Sequence, residues 1–162
     1  MKRLWAPWRM KYISATAAPS GCIFCEAARA KNDRKRFVIE RNGSCFSLLN
    51  LFPYNNGHIM VAPYKHTGEL SGLDRDTVCD MFELIAASQR ALEKGFRPEG
   101  FNIGINVGRA GGAGIVDHVH VHVVPRWNGD TNFMPVIGET KIVSQGLEAA
   151  YDALLNAMKQ KS

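Results

Sequence analysis

The stretch D-H-V-H-V-H-V-V-P-R-W, residues 117–127, decides the fold of this chain. Histidine alternates with valine over six residues, which is the two-residue period of a β-strand. We therefore expect His118, His120 and His122 to project from one face of the strand and the valines to project from the other, toward a core. The histidine face should be the wetter one. Pro125 should end the strand, because proline has no backbone N–H to donate.

The plainest interpretation of these histidines is the solvated face of an amphipathic strand, but three in register suggest a site. Alternate side chains on a strand stand about 6.6 Å apart, too far for all three rings to bind one metal ion. A neutral imidazole can attack phosphorus and later leave, which divides a difficult displacement into two steps. His120 has a like neighbour on either side and is the predicted nucleophile. Imidazole also suits acid–base work near neutral pH.

Length and composition indicate a soluble globular protein. The chain has 162 residues, 46% of them apolar and 22% charged, and no apolar run approaches the ~18 residues of a membrane helix. The basic N-terminus lacks the continuous apolar stretch of a secretory signal, so we expect a cytoplasmic protein. A net charge of +5 suits an anionic small substrate. The basic cluster at residues 31–36 is too small to predict a nucleic-acid partner.

The rest of the chain predicts an antiparallel meander with two further helices. Asn42-Gly43 is a strong hairpin-turn signal. Apolar positions recur at helical spacing after Asp74, with Gly95 placed as a stop. In chain order we expect an N-terminal arm over residues 1–20, a short helix after Cys25, strands over 36–40 and 44–50, a third strand ending at Pro63, a helix over 75–94 and a terminal helix over 147–158.

A strand over residues 101–107 leads directly into the glycine-rich turn G-R-A-G-G-A-G, residues 108–114. Its alternation predicts that Phe101, Ile103, Ile105 and Val107 point inward and that Asn102, Gly104 and Asn106 point outward. The turn matches neither a Walker loop nor a dinucleotide fingerprint, yet its N–H groups could face an anion. Because it joins this strand to the histidine strand, a phosphate-sized site is predicted beside the imidazoles.

Cys22 and Cys25 form a C-x-x-C pair, which in a reducing compartment indicates a metal or redox site. A metal-free pair of reduced thiols is the alternative. Cys45 and Cys79 stand alone in apolar company and are predicted to be small core residues.

With these features together, the sequence resembles the histidine-triad (HIT) family of nucleotide-binding proteins over about residues 20–128. The matching features are H-V-H-V-H-V-V, Gly57-His58 in the third strand, and Asn106 before the glycine turn. The Asn50-to-His58 spacing and P-R-W-N-G-D resemble the fragile-histidine-triad branch. The segments L-W-A-P-W-R-M-K-Y-I and G-D-T-N-F-M-P resemble bacterial diadenosine tetraphosphate phosphorylases.

The resemblance implies an α+β, HIT-like fold in a single domain over residues 1–162. The expected architecture is a five-stranded antiparallel sheet with one long helix and a C-terminal helix, and residues 128–162 form a C-terminal extension. Two sheets are expected to pair in a homodimer through the long helix.

The resemblance also implies roles for individual residues. His120 would be the nucleophile that forms an adenylyl-histidine, and His118 would help to set the orientation of its ring. Asn50 would meet the ribose, whereas His122 and Asn106 would contact phosphate. Further substrate-binding positions would be Gly112, Ala113, Gly114 and His58, the last mainly as a support for the histidine strand.

The implied activity is cleavage of a dinucleoside polyphosphate at its α-phosphate. Gly114 stands where the fragile-histidine-triad pattern has a glutamine, so a side-chain donor to phosphate is missing and room is left for a second acceptor. This favours phosphorolysis, with inorganic phosphate, over hydrolysis. The alternatives are a purine-nucleotide-binding protein with vestigial catalysis and a nucleoside phosphoramidate hydrolase. A nucleic-acid end-processing enzyme would need an added basic or zinc-finger module.

The resemblance implies a structural zinc ion and no organic cofactor. Its ligands would be Cys22, Cys25, His66 and His118, a closed tetrahedral set without an open position for catalysis. His58 is the rival fourth ligand. A thioredoxin-like role for the cysteines fits less well, because the flanking pattern is not βαβ.

Overall fold

The computed structural model of the protein describes residues 21–130 and 145–159. Five antiparallel strands form one sheet in the order β1-β2-β3-β5-β4, which confirms the predicted α+β fold. The predicted N-terminal arm and the part of the C-terminal extension over residues 131–144 lie outside the described residues. The strands are β1 (Val38–Arg41), β2 (Cys45–Leu49), β3 (Ile59–Pro63), β4 (Gly100–Ile105) and β5 (Val121–Arg126).

The described helices are α1 (Ile23–Ala28), α2 (Arg75–Phe96) and α3 (Leu147–Lys159), with two 3₁₀ turns at Arg34–Arg36 and Leu70–Gly72. Helix α2 begins where the carboxylate of Asp74 accepts a hydrogen bond from the amide of Thr77 at 2.8 Å. None of these helices combines the length and the apolar character needed to cross a membrane.

The prediction that Gly95 ends the long helix is wrong. Helix α2 continues to Phe96 and ends at Arg97, which adopts a left-handed conformation with φ of 50°. A Cβ atom on Gly95 would lie 3.5 Å from Cβ of Ala157 on α3. The glycine therefore lies in the last turn of α2, where α3 approaches closely, and Arg97 takes the capping position predicted for it.

One face of the sheet packs against α2 and α3 and forms the main core. Strand valines point to this side, as the alternation predicted, and Val121 and Val123 are buried. Tyr151 of α3 donates its hydroxyl to the carbonyl oxygen of Val38 at 2.7 Å, which fastens the C-terminal helix to β1. Other members of this core are Leu49, Ile59, Val61, Met81, Leu84, Leu92 and Leu154.

The opposite face carries the histidines, and α1 covers it. His122 pairs with Met60 in the β3–β5 ladder, and Phe24 of α1 packs with Met60. The guanidinium of Arg41 holds α1 in place by donating to the carbonyl oxygens of Ala27 and Ala28 at 2.8 and 3.2 Å. The expectation of a wet histidine face is therefore wrong.

Strand β5 differs from the sequence prediction at both ends. It begins at Val121, so His118 and His120 precede the hydrogen-bonded ladder. Pro125 lies inside the strand opposite Phe101, and the ladder continues to Arg126. Pro125 thus does not end the strand.

Strand β4 lies at the edge of the sheet, and its inward-facing apolar side chains are partly exposed. Ile103 and Ile105 pair with Val123 and Val121, so they do lie on the core side. They are nevertheless 46% and 38% exposed, and Val107 beyond them is 48% exposed. Helix α2 packs over β2, β3 and β5 and leaves this edge uncovered.

The two lone cysteines differ. Cys45 is buried, as predicted, and burial raises the pKa of its thiol to about 12. Cys79 is exposed, contrary to the prediction, because it lies on the solvent side of α2.

Candidate active site

Three imidazole rings lie side by side at the centre of the histidine face, with His120 and His122 in a T-shaped arrangement. The ring centroids of His120 and His122 are 4.9 Å apart, and those of His122 and His58 are 5.1 Å apart. Phe24 stands 4.6 Å from His120. His120 and His122 are only 3% and 9% exposed, so their charges are poorly solvated.

The ring of His120 is oriented by a backbone group. Its Nδ1 lies 2.8 Å from the carbonyl oxygen of His118. A carbonyl can only accept, so Nδ1 carries the proton and the lone pair of the neutral ring is on Nε2. Burial lowers the pKa of His120, partly offset by this hydrogen bond, so the ring is neutral near pH 7. It is the carbonyl of His118, rather than its ring, that makes the contact.

His58 and His122 form a second hydrogen-bonded chain. The amide of Tyr54 donates to Nδ1 of His58 at 3.0 Å, so the proton of a neutral His58 lies on Nε2. Nε2 of His58 is 2.9 Å from Nδ1 of His122. His122 accepts there and carries its own proton on Nε2. The sequence indicated His58 as a support but gave no sign of the Tyr54 amide, because that contact depends on loop geometry.

Asn50 lies at the end of β2 beside this chain. Its Oδ1 accepts from the amide of Phe52 at 2.9 Å, and its Nδ2 lies 3.3 Å from Nδ1 of His58. These contacts shape the loop after β2. The contact with ribose stays a prediction.

The glycine turn is closed by its own hydrogen bonds. The amide of Gly112 donates to the carbonyl oxygen of Arg109 at 3.0 Å, and that of Ala113 donates to Gly108 at 3.2 Å. Nδ2 of Asn106 lies 3.5 Å from the carbonyl oxygen of Gly112. An anion could therefore take these two amides only if the turn rearranged. The phosphate contacts assigned to Asn106, Gly112, Ala113 and Gly114 stay predictions.

Cys22, Cys25, His66 and His118 come together in one cluster, as the resemblance implied. Their ligand atoms all lie within 4.8 Å of one another. Nδ1 of His118 is 3.3 Å from Sγ of Cys22 and 3.2 Å from Nδ1 of His66. Nε2 of His118 donates to the carbonyl oxygen of Pro63 at 2.8 Å, which leaves the lone pair on Nδ1 directed into the cluster.

These separations fit a tetrahedral zinc site. Zinc bonds of about 2.0–2.3 Å require ligand atoms roughly 3.3–3.8 Å apart, and Sγ of Cys25 lies 3.3 Å from His66 and 3.7 Å from His118. Burial and the neighbouring Cys22 raise the pKa of the Cys25 thiol, so cation binding would release protons here. His58, the rival ligand, is engaged with His122 instead.

An open cavity of about 490 Å³ lies beside this cluster. It runs between the loop at residues 66–69 and the two ends of the glycine turn, with His66 and Asp117 in its walls. The cavity therefore borders this cluster of cysteines and histidines more closely than it borders His120.

Comparison with known proteins places the chain among its relatives. The family profile described as HIT domain matches residues 31–129. AP-4-A phosphorylase of Mycobacterium tuberculosis is 39% identical over 157 residues, or 90% of this chain and 78% of that protein. An uncharacterized HIT-like protein of Methanocaldococcus jannaschii is 33% identical over 123 residues, 75% of this chain and 91% of that one.

A solved structure agrees with the fold. The Zn-bound histidine triad family protein from Mycobacterium smegmatis is similar with a TM-score of 0.68 and 29% identity, over 85% of this chain and 93% of that one. The family profile spans more than half of the chain. The sheet, helices and histidine motif of the chain agree with this family. The chain therefore belongs to the HIT domain family and has the HIT-like fold.

Proposed function

We propose that this protein is an enzyme that cleaves dinucleoside polyphosphates at the α-phosphate through a nucleotidyl-histidine on His120. The observation that carries the proposal is the 2.8 Å contact between Nδ1 of His120 and the carbonyl oxygen of His118, since it leaves the lone pair on Nε2. Similarity to AP-4-A phosphorylase supports the substrate class.

In the first step, Nε2 of His120 attacks the α-phosphorus, and the bond from phosphorus to the bridging oxygen breaks. The electron pair leaves with the polyphosphate. The Nε2–H of the neutral His122 ring would donate a hydrogen bond to that oxygen as its charge develops, and the contact with His58 keeps the proton of His122 on Nε2. The phosphorylated ring of His120 is cationic, and the carbonyl oxygen of His118 stabilises the charge through Nδ1–H.

In the second step, an acceptor oxygen attacks phosphorus, and the phosphorus–nitrogen bond returns its electrons to Nε2. We propose inorganic phosphate as the acceptor. Gly114 stands where the fragile-histidine-triad branch has a glutamine, so the side-chain donor to phosphate is missing here. The net charge of +5 suits two anionic reactants.

Product analysis tests the proposal. The protein is incubated with diadenosine tetraphosphate in the presence and absence of phosphate, and the nucleotides are separated. ADP and ATP that form only with phosphate are the expected result. AMP and ATP in both samples would show hydrolysis instead, and no turnover in either would overturn the enzymatic proposal.

A trapping experiment tests the nucleophile. Acid-sensitive label from α-phosphate-labelled substrate should appear on the wild-type protein and be absent from His120→Ala. Asp117→Asn is the control, since this exposed carboxylate lies outside the hydrogen-bonded histidines. Both variants should keep the wild-type circular dichroism spectrum. Equal labelling of His120→Ala would contradict the assignment.

We also propose that Cys22, Cys25, His66 and His118 hold a structural zinc ion. The supporting observations are the spacing of their ligand atoms and the lone pair that Pro63 leaves on His118. Bound zinc would fasten α1 to the loop after β3 and to the start of the histidine segment.

A homodimer built on β4 and α2 is the third part of the proposal. Ile103 and Ile105 present apolar surface at an edge strand that, within the described ranges, pairs only with β5. Exposed apolar edge strands invite pairing with another chain. Phe82 of α2 is also an exposed apolar side chain. A second copy of the chain is the proposed occupant.

A further inference from the structure

The loop between β2 and β3, residues 50–58, is fastened to the C-terminal end of β5. Nδ2 of Asn55 donates to Oδ2 of Asp130 at 2.8 Å and to the carbonyl oxygen of Pro125 at 3.1 Å. Asp130 is itself held, because Arg126 donates to both of its carboxylate oxygens and the amide of Trp127 donates to Oδ2. The Arg126 guanidinium holds the pKa of Asp130 well below its usual range, so Asn55 meets a charged acceptor.

The same loop holds His58 by its backbone and by its ring. The amide of His58 donates to the carbonyl oxygen of Asn55 at 3.2 Å, and the amide of Tyr54 donates to Nδ1 of the ring at 3.0 Å. Gly57 has a φ of +74°, and a Cβ there would lie 2.8 Å from Cδ2 of Leu92. Position 57 therefore requires glycine, and the backbone that leads into His58 is held in this conformation.

We propose that Asn55 and Asp130 are positioning residues for His122. They fix the loop so that the amide of Tyr54 stays on Nδ1 of His58. The proton of His58 is then kept on Nε2, and, across the 2.9 Å contact, the proton of His122 is kept on its own Nε2. Without this anchor, Nδ1 of His58 loses the Tyr54 amide and is left with the longer 3.3 Å contact from Nδ2 of Asn50, so the second tautomer of His58 becomes populated. The catalytic consequence rests on the proposed function, whereas the tautomer consequence does not.

The chain offers two matched controls. Asn56, the next residue of the loop, donates to Oε1 of Gln145 at 3.2 Å. Glu99 accepts from Asn128 beside the same end of β5. Asn56→Ala is therefore the control for Asn55→Ala, and Glu99→Gln is the control for Asp130→Asn. Neither control removes a group of the Asn55–Asp130 contact.

Nitrogen NMR of the histidines tests the proposal directly. With ¹⁵N-labelled histidine, at a pH where the rings are neutral, long-range ¹H–¹⁵N spectra report which nitrogen carries each proton. Wild type, Asn56→Ala and Glu99→Gln should show single Nε2–H tautomers for His58 and His122. Asn55→Ala should move both pairs of signals toward tautomer-averaged shifts. Asp130→Asn is nearly isosteric with the wild type and should move the same signals by a smaller amount. It provides the test if Asn55→Ala does not fold.

Kinetics on the same variants give the catalytic readout. We expect kcat of Asn55→Ala to fall roughly 10- to 100-fold, the cost of a misplaced group, with much less change in KM. Unchanged ¹⁵N shifts in Asn55→Ala and Asp130→Asn would overturn the inference. The two proposals can fail separately. If the variants show shifted tautomers but the wild type cleaves no dinucleoside polyphosphate, the positioning role is supported and the proposed function is overturned.

Discussion

At the scale of single residues, the reactivity proposed for His120 rests on burial of the ring together with one carbonyl. Burial disfavours the charged ring and lowers its pKa, while the His118 carbonyl only partly restores it. The proposed attack requires the neutral ring, so activity should be lost as the pH falls through the lowered pKa of His120. We expect the acid limb of log kcat/KM against pH to lie below the ordinary imidazole value of about 6.5.

To test whether His120 causes the acid limb of the pH profile, its ¹⁵N signals are titrated in the same buffers. Agreement between the two titrations, both below the ordinary value, is the expected outcome. A His120 that titrates at or above that value would contradict the account, because the ring would then be half protonated where the enzyme must work.

Most of the residues that come together at the candidate site could be predicted from the sequence, but the groups that set their protonation could not. The shared face of three histidines and the four-residue metal cluster follow from spacing and resemblance. The His118 carbonyl and the Tyr54 amide are backbone groups, and every residue has them, so no side-chain pattern marks them. Phe24 was also missed. Its place inside C-x-x-C was the available signal, since a cluster that includes His118 brings Phe24 close to His120.

At the scale of elements, Gly95 offers a test of helix packing. It lies inside α2, and a Cβ there would make ordinary contacts with α3, 3.5 Å from Cβ of Ala157. Gly95→Ala should therefore stabilise the protein by about 0.5–1 kcal/mol, the difference in helix propensity. Gly95→Leu should destabilise it, because the two helices leave no room for a longer side chain. Urea unfolding measures both. A loss of stability in Gly95→Ala would contradict this prediction, because it would mean that a methyl group 3.5 Å from Ala157 is not accommodated between the two helices.

Periodicity predicts which segments form strands and which form helices. It does not predict the position of each strand within the sheet. The alternation of Phe101, Ile103 and Ile105 indicates correctly which side faces the core. It cannot indicate that β4 is an edge strand, because strand order depends on contacts between distant segments. Pro125 illustrates the same limit. A proline is tolerated within β5 opposite Phe101, although its lack of an N–H suggested a strand end.

At the scale of the whole molecule, the metal cluster would join three segments that are far apart in sequence. Cys22→Ser should lower the zinc content from about one ion per chain to nearly none, measured by mass spectrometry of the metal. It should also lower Tm, since binding energy at such a site is folding energy. Cys79→Ser, an exposed cysteine on α2, is the control and should keep its metal. Full zinc content in Cys22→Ser would refute the proposed ligand set.

The proposed dimer is tested at β4, where the sheet leaves apolar side chains uncovered. Ile105 is 38% exposed, so Ile105→Lys should remove about 0.5–1 kcal/mol of apolar burial per chain, or about 1–2 kcal/mol per dimer, and also place a charge at the proposed contact. The dimer dissociation constant should therefore rise about tenfold or more. Ile105→Val is the matched control and should keep the wild-type mass. Light scattering after size exclusion distinguishes two chains from the 17.9 kDa of one. If the wild type itself has the mass of one chain at every concentration, the exposed face of β4 needs another explanation, because a monomer would then carry Ile103, Ile105 and Val107 in water.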